Sequence, residues 1–145
     1  MPELSVSHRY PQDADTVWLR IHDFADIQSW LPGVTGCQVE GEGVGAIRTV
    51  DVMDGSQVVE RLEAFDEQQK LFRYSILSAG GLNEAHQFHA TVSVKPTDDG
   101  GCEINWSASF SAAELASEQA EKIRAMAEKM YRFCLQNLEQ VLKTP

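Results

Sequence analysis

Long apolar runs are missing from this 145-residue chain. No stretch of 18 apolar residues occurs, so no membrane-spanning helix is expected. Basic residues are scarce: 12 Lys and Arg stand against 22 Asp and Glu, a net charge of −10. Nucleic acid and anionic membranes both reward a basic surface, so neither is an expected partner. The acidity itself reads as a solubility feature. Cysteine is sparse, and Cys37, Cys102 and Cys134 form an odd set with no CxxC pair. Reduced thiols in a cytoplasmic setting are the expectation. The opening Met1-Pro2-Glu3-Leu4 lacks the basic and apolar regions of a signal peptide. There is no P-loop, no Ser/His/Asp order and no nucleophilic cysteine context. Gly41-x-Gly43-x-Gly45 lacks dinucleotide-binding spacing and leads into a strand, so no phosphate site follows from it. His86-x-x-His89 fails as a metal pair on a regular strand, where residues three apart face opposite sides. No cofactor and no metal are expected. Repeats, low-complexity segments and linkers are absent, and residues 1–145 are expected to form a single domain.

What is present falls into two periods. From about Ser111 to Leu142 there is neither Gly nor Pro. Large apolar residues recur there at Ile123, Met126, Met130, Phe133/Cys134, Leu138 and Val141/Leu142. Steps of three and four predict one helix of roughly 26 residues, about 39 Å long. Ser111-x-x-Glu114 or Ser117 can cap its start. Before it, alternation of period two predicts strands. The first is residues 3–10, with Leu4, Val6, His8 and Tyr10 on one face. Asp13 or Asp15 then caps a short helix through Val17, Trp18, Ile21 and Phe24, and Asp26 to Leu31 makes a second short helix or turn. Six further strands follow position 34. Arg48, Val50 and Val52 share a face, as do Val58, Glu60 and Leu62, and Phe72, Tyr74 and Ile76. His86, Phe88, Ala90, Val92 and Val94 line the next strand, and Ile104, Trp106, Ala108 and Phe110 the last. Asp51 and Arg73 face outward by phase. Short turns such as Asp54-Gly55 make sequential neighbours antiparallel. The expected fold is α+β: a curved seven-stranded antiparallel sheet wrapped around a long C-terminal helix, with two short helices between strands 1 and 2. A bent sheet and a straight helix leave a gap, and that gap is the candidate site.

This order resembles the helix-grip fold of the START/Bet v 1-like superfamily. Val17-Trp18, Phe24, Trp30-x-Pro32, Cys37, Gly41-x-Gly43-x-Gly45-x-x-Arg48, Asp54-Gly55, Glu60-Arg61-Leu62, Asp66, Tyr74-x-Ile76 and Trp106-x-x-x-Phe110 are similar to its polyketide cyclase/dehydrase-like branch. The middle third resembles the plant abscisic-acid receptors and their bacterial relatives. Carried over by position, the resemblance implies a pocket lined by Val50, Val52, Val58, Glu60, Tyr74 and Ile76. Phe88 and Ala90 continue it, and Met126, Met130 and Cys134 face it from the helix. Two departures stand out. The receptors' ligand-binding lysine is here Thr35, and their gate loop is replaced by the tight turn Asp54-Gly55-Ser56-Gln57.

Three readings follow. In the first, the chain binds a small, largely hydrophobic molecule, with Glu60, Tyr74 and Thr35 as polar contacts. In the second, it is a cyclase- or dehydratase-like enzyme in which Glu60, helped by His86 or Tyr74, moves protons. In the third, it is an interaction module without a ligand. For Glu60 a structural role remains open beside these: a hydrated carboxylate, or a salt bridge to Arg48 if that residue also points inward.

Overall fold

The computed structural model describes residues 2–143. The alternating segments form strands β1 (Glu3–Tyr10), β2 (Val34–Glu40), β3 (Ile47–Val52), β4 (Gln57–Asp66), β5 (Leu71–Ala79), β6 (Leu82–Asn83), β7 (His89–Pro96) and β8 (Cys102–Ser109). They join one antiparallel sheet in the order β1-β8-β7-β5-β4-β3-β2, with β6 paired to β5 beside that path. The seven expected strands are all there. The two-residue β6 lies within the Ala79–Glu84 stretch that reads as loop. Two register shifts between β4 and β5, one leaving Leu77 of β5 unpaired and the other Glu63 of β4, bend the two strands and add to the sheet's curvature. The reading of Met1 as part of the chain's opening, and the last two residues of the 1–145 domain expectation, lie outside the described residues.

Helix α1 (Ala14–Ile21) begins where Asp13 accepts a hydrogen bond from the Thr16 N–H at 2.8 Å, and it buries Val17, Trp18 and Ile21. A 3₁₀ turn, Ile27–Ser29, follows and leads to the buried Trp30. Helix α2 (Ser117–Lys143) has 27 residues and packs along β1. It starts at Ser117, so Ala116 rather than either expected serine stands at the cap position, and the Ala116 N–H donates to Gln119 Oε1 at 3.3 Å. Ser111 instead donates its backbone N–H to the His86 carbonyl at 2.7 Å, tying the connecting segment to the sheet.

The inner sheet face buries Arg48, Val50, Glu60, Leu62, Phe72 and Tyr74, then Phe88, Ala90, Val92, Val94, Ile104 and Trp106. The helix answers with Ala120, Tyr131, Cys134, Leu135 and Leu138. This corrects the expected helical stripe. Met126 and Met130 are 63% and 52% exposed, and Phe133 is exposed too. Met126 and Tyr131 lie about 140° apart around a helix with 3.6 residues per turn. Two apolar stripes therefore compete. The one containing Tyr131, Leu135 and Leu138 continues through Ala120 and Ala127, whose small side chains let the helix approach the sheet. The methionine stripe has no such continuation and turns to solvent.

Candidate functional site

Arg48 on β3 and Glu60 on β4 are cross-strand partners on the inner face, and both are buried. Arg48 Nε and Nη2 each approach Glu60 Oε1 at 2.7 Å. Arg48 Nη1 donates to the Phe24 carbonyl at 3.0 Å. The guanidinium carbon sits 4.1 Å from the centre of the Phe24 ring and 5.4 Å from that of Tyr74. Its charge is thus met by a carboxylate, a carbonyl and two aromatic faces.

Tyr74 extends the polar path. Its hydroxyl accepts from Trp106 Nε1 at 3.2 Å. Trp106 stacks on Tyr131 of α2 with ring centres 3.9 Å apart and planes 9° from parallel. Trp30 approaches Trp106 at 6.0 Å. Burial holds the Tyr74 phenol well above its ordinary value of 10.0, with Tyr131 and Glu60 adding to the shift. Burial does the same to Tyr131, partly offset by its hydrogen bond to Tyr74. Both phenols are therefore neutral hydrogen-bonding groups over the physiological range. On the inner face the Arg48–Glu60 pair is thus followed by a chain of neutral polar aromatics reaching to the helix.

Over residues 1–143 the chain matches the family described as polyketide cyclase / dehydrase and lipid transport. The chain belongs to this family. A curated relative, MLP-like protein 423 of Arabidopsis thaliana, is 31% identical over 97 residues. That match covers 64% of this chain and 62% of the relative, so it spans less than two thirds of the plant protein. Among solved structures, a Bacillus thuringiensis protein has a TM-score of 0.83 at 23% identity, covering 98% of this chain and 99% of that one. The protein XoxI from Bacillus cereus has a TM-score of 0.84 at 25% identity, covering 99% and 97%. A Thermobifida fusca protein has a TM-score of 0.84 at 25% identity, covering 98% and 93%. The fold is the helix-grip fold of the START/Bet v 1-like superfamily.

In this cyclase/dehydrase family chain the expected site residues separate into three groups. Glu60 and Tyr74 share the buried cluster just described, while Val50, Phe88, Ala90 and Cys134 are buried on the same inner side. Phe88 stacks on Phe110 at 5.6 Å. Val52, Val58 and Ile76 are half-buried. The third group turns away. Met126 and Met130 face solvent, for the reason given above. Thr35 is exposed and donates from its hydroxyl to the Asp51 carbonyl at 3.3 Å. A register shift between Val34 and Gly36 disrupts the pairing of β2 just where Thr35 lies.

His86 is also corrected. It does not sit on a strand beside Phe88 but closes a 3₁₀ turn, Glu84–His86. Its Nδ1 accepts the Asn83 N–H at 3.1 Å, while the Asn83 side chain accepts from the Ala85 N–H at 2.9 Å. Gln87 then takes a left-handed backbone, φ 50°, and breaks the strand phase before Phe88. Sequence reasoning underweighted Trp106 and missed Tyr131. The signal for Tyr131 was its alignment with Ala120, Ala127, Leu135 and Leu138 once small residues are counted as a packing face.

Proposed function

We propose that the chain, folding as one domain, binds a small, largely apolar molecule carrying one or two polar groups, between the inner sheet face and α2. The observation that carries this reading is the buried Arg48–Glu60 pair, continued by Tyr74, in an otherwise apolar interior. A buried ion pair adds little net stability over apolar residues of the same volume. Its use at this place is better explained as a polar anchor for a bound group. The family description names polyketide and lipid chemistry, which points to the same class of molecule. Val50, Phe88, Ala90 and Cys134 supply apolar wall, and Val52, Val58 and Ile76 stand at its margin. Trp106 and Tyr131 occupy the middle of this space through their stack, so a ligand has to displace one ring or lift the helix.

A thermal-shift series with long-chain alcohols, long-chain carboxylic acids and fused aromatic phenols tests the reading. Saturable stabilisation is expected with one class, amounting to about 2.7 kcal/mol when ligand exceeds Kd a hundredfold. No saturable shift with any of them overturns the proposal. An acid–base role gains no comparable support, because Nε and Nη2 of Arg48 both engage Glu60 and His86 is committed to its turn.

A further inference from the structure

The opposite face of the sheet carries a second polar assembly. On β8, β7 and β5 the outward residues fall into rows. Ser109 pairs with His89, His89 with Ser75, and Ser75 with Arg61 on β4. The adjacent row runs Ser107, Thr91, Arg73. Directly opposed side chains in such rows stand about 5 Å apart at Cβ, close enough to serve one ligand. A shallow concavity of about 510 Å³ lies over these rows, lined by Arg73, His89, Thr91, Ser107 and Ser109 among others. A smaller one of about 170 Å³ shares His89 and includes Ser75 and Arg61.

Two polar atoms at this place lack partners. Ser75 is only 5% exposed, lines the smaller concavity, and its Oγ makes no hydrogen bond; His89 Nδ1 is likewise buried without one. A buried hydroxyl without a partner costs about 1–3 kcal/mol, so it calls for an external one. Arg73 takes part in none of the ion pairs among the described residues, whereas Arg61 is held by Glu63 at 2.8 Å. Among the carboxylates, Glu3 stands at the margin on edge strand β1 and Glu84 on the 3₁₀ turn, while Glu63, close enough to act on His89, is engaged by Arg61. The free charge at the centre is therefore positive and forked, beside hydroxyl donors.

We propose that this outer face holds a site for a small molecule bearing an oxyanion, a carboxylate or a phosphate ester, whose charged end pairs with Arg73 while Ser75 and His89 bond its polar body. Thr91 and Ser107 supply further donors from the neighbouring strands. Burial and the nearby Arg73 lower the His89 pKa, so the imidazole is neutral in the empty site, and a bound anion relieves that effect. The site is independent of the inner-face reading and stands on the other side of the sheet.

The test is a nuclear magnetic resonance titration of the whole chain with inorganic phosphate and, separately, acetate, each against sodium chloride at matched ionic strength. Saturable amide shifts at residues 73, 75, 89, 91 and 107 are expected with phosphate, acetate or both, and the stronger of the two identifies the oxyanion. Arg73→Gln, at an exposed position, lowers that affinity by about tenfold or more. Ser75→Ala lowers it too while leaving thermal stability unchanged or higher, because it removes an unpartnered hydroxyl. The absence of saturable shifts, equal shifts from chloride, or undiminished binding by Arg73→Gln overturns the proposal. A loss of stability in Ser75→Ala also counts against it, since it reveals a structural partner for the hydroxyl.

Discussion

Removing either member of the Arg48–Glu60 pair leaves a charge buried without its counterion, and that is more costly than never having the pair. Arg48→Met or Glu60→Leu alone should destabilise the chain by about 3–5 kcal/mol. The double variant Arg48→Met/Glu60→Leu should recover most of that loss, and urea unfolding of the four proteins measures the coupling. Additive losses in the double variant would show that the two side chains act separately. The inward phase of Glu60 could be read in advance, because it stands two residues from Val58 on one side and from Leu62 on the other. Arg48 was legible for the same reason, before Val50 and Val52. Thr35 and His86 were not. Their places depend on a register shift and a cap, and a single residue of slippage moves a side chain to the other face.

All three tyrosines of the chain are buried, and burial raises each phenol above the ordinary 10.0. Cys134 rises from 9.0 to about 12 for the same reason. These groups hold their protons more tightly when folded. Their contribution to stability is complete below their unfolded values and is lost as pH climbs towards the folded ones. Stability governed by them should be level from neutral pH to about 9, then fall steeply above it. Tyrosinate absorbance should appear in a single step that coincides with loss of circular dichroism. Stepwise titration of one tyrosine in the folded state would contradict the buried placement.

At the scale of elements, α2 shows what periodicity can and cannot decide. Its existence, length and C-terminal half were plain from the sequence. Its rotation was not, because two apolar stripes share the helix and large residues mark the exposed one. Truncation separates them. Leu135→Ala and Leu138→Ala should each cost about 2–5 kcal/mol, from lost burial and the cavity left behind. Met126→Gln and Met130→Gln should stay within about 0.5 kcal/mol of the parent. A large loss from Met130→Gln would mean that the helix is turned the other way. Gly101 belongs at this scale too. It lies in the turn between β7 and β8, where an added Cβ would collide with the Tyr10 carbonyl of the edge strand. Pro96-Thr97-Asp98-Asp99-Gly100-Gly101 was legible as a turn, but the close approach that demands glycine at its last position is a tertiary fact.

For the whole molecule, the distribution of fastenings along α2 sets how the interior can open. Tyr10 donates to the Leu135 carbonyl at 2.7 Å, His8 pairs with Glu139, and Tyr131 stacks on Trp106. All three ties fall on the C-terminal half of the helix. In the N-terminal half Ala120 alone is fully buried, with Ile123 and Ala127 partly so. Local opening free energy follows buried apolar contact, so this half is the weaker one. Amides of residues 121–127 should exchange with solvent faster than those of 131–142 in native-state hydrogen exchange. A molecule bound between sheet and helix should slow the N-terminal half selectively, since it adds the apolar contacts that Ala120 and Ala127 do not provide. An oxyanion on the outer sheet face should leave that half unchanged, because it touches no part of α2. Uniform exchange along the helix, unaltered by any ligand, would mean that the helix moves as one body and that entry does not pass beneath its N-terminal turns.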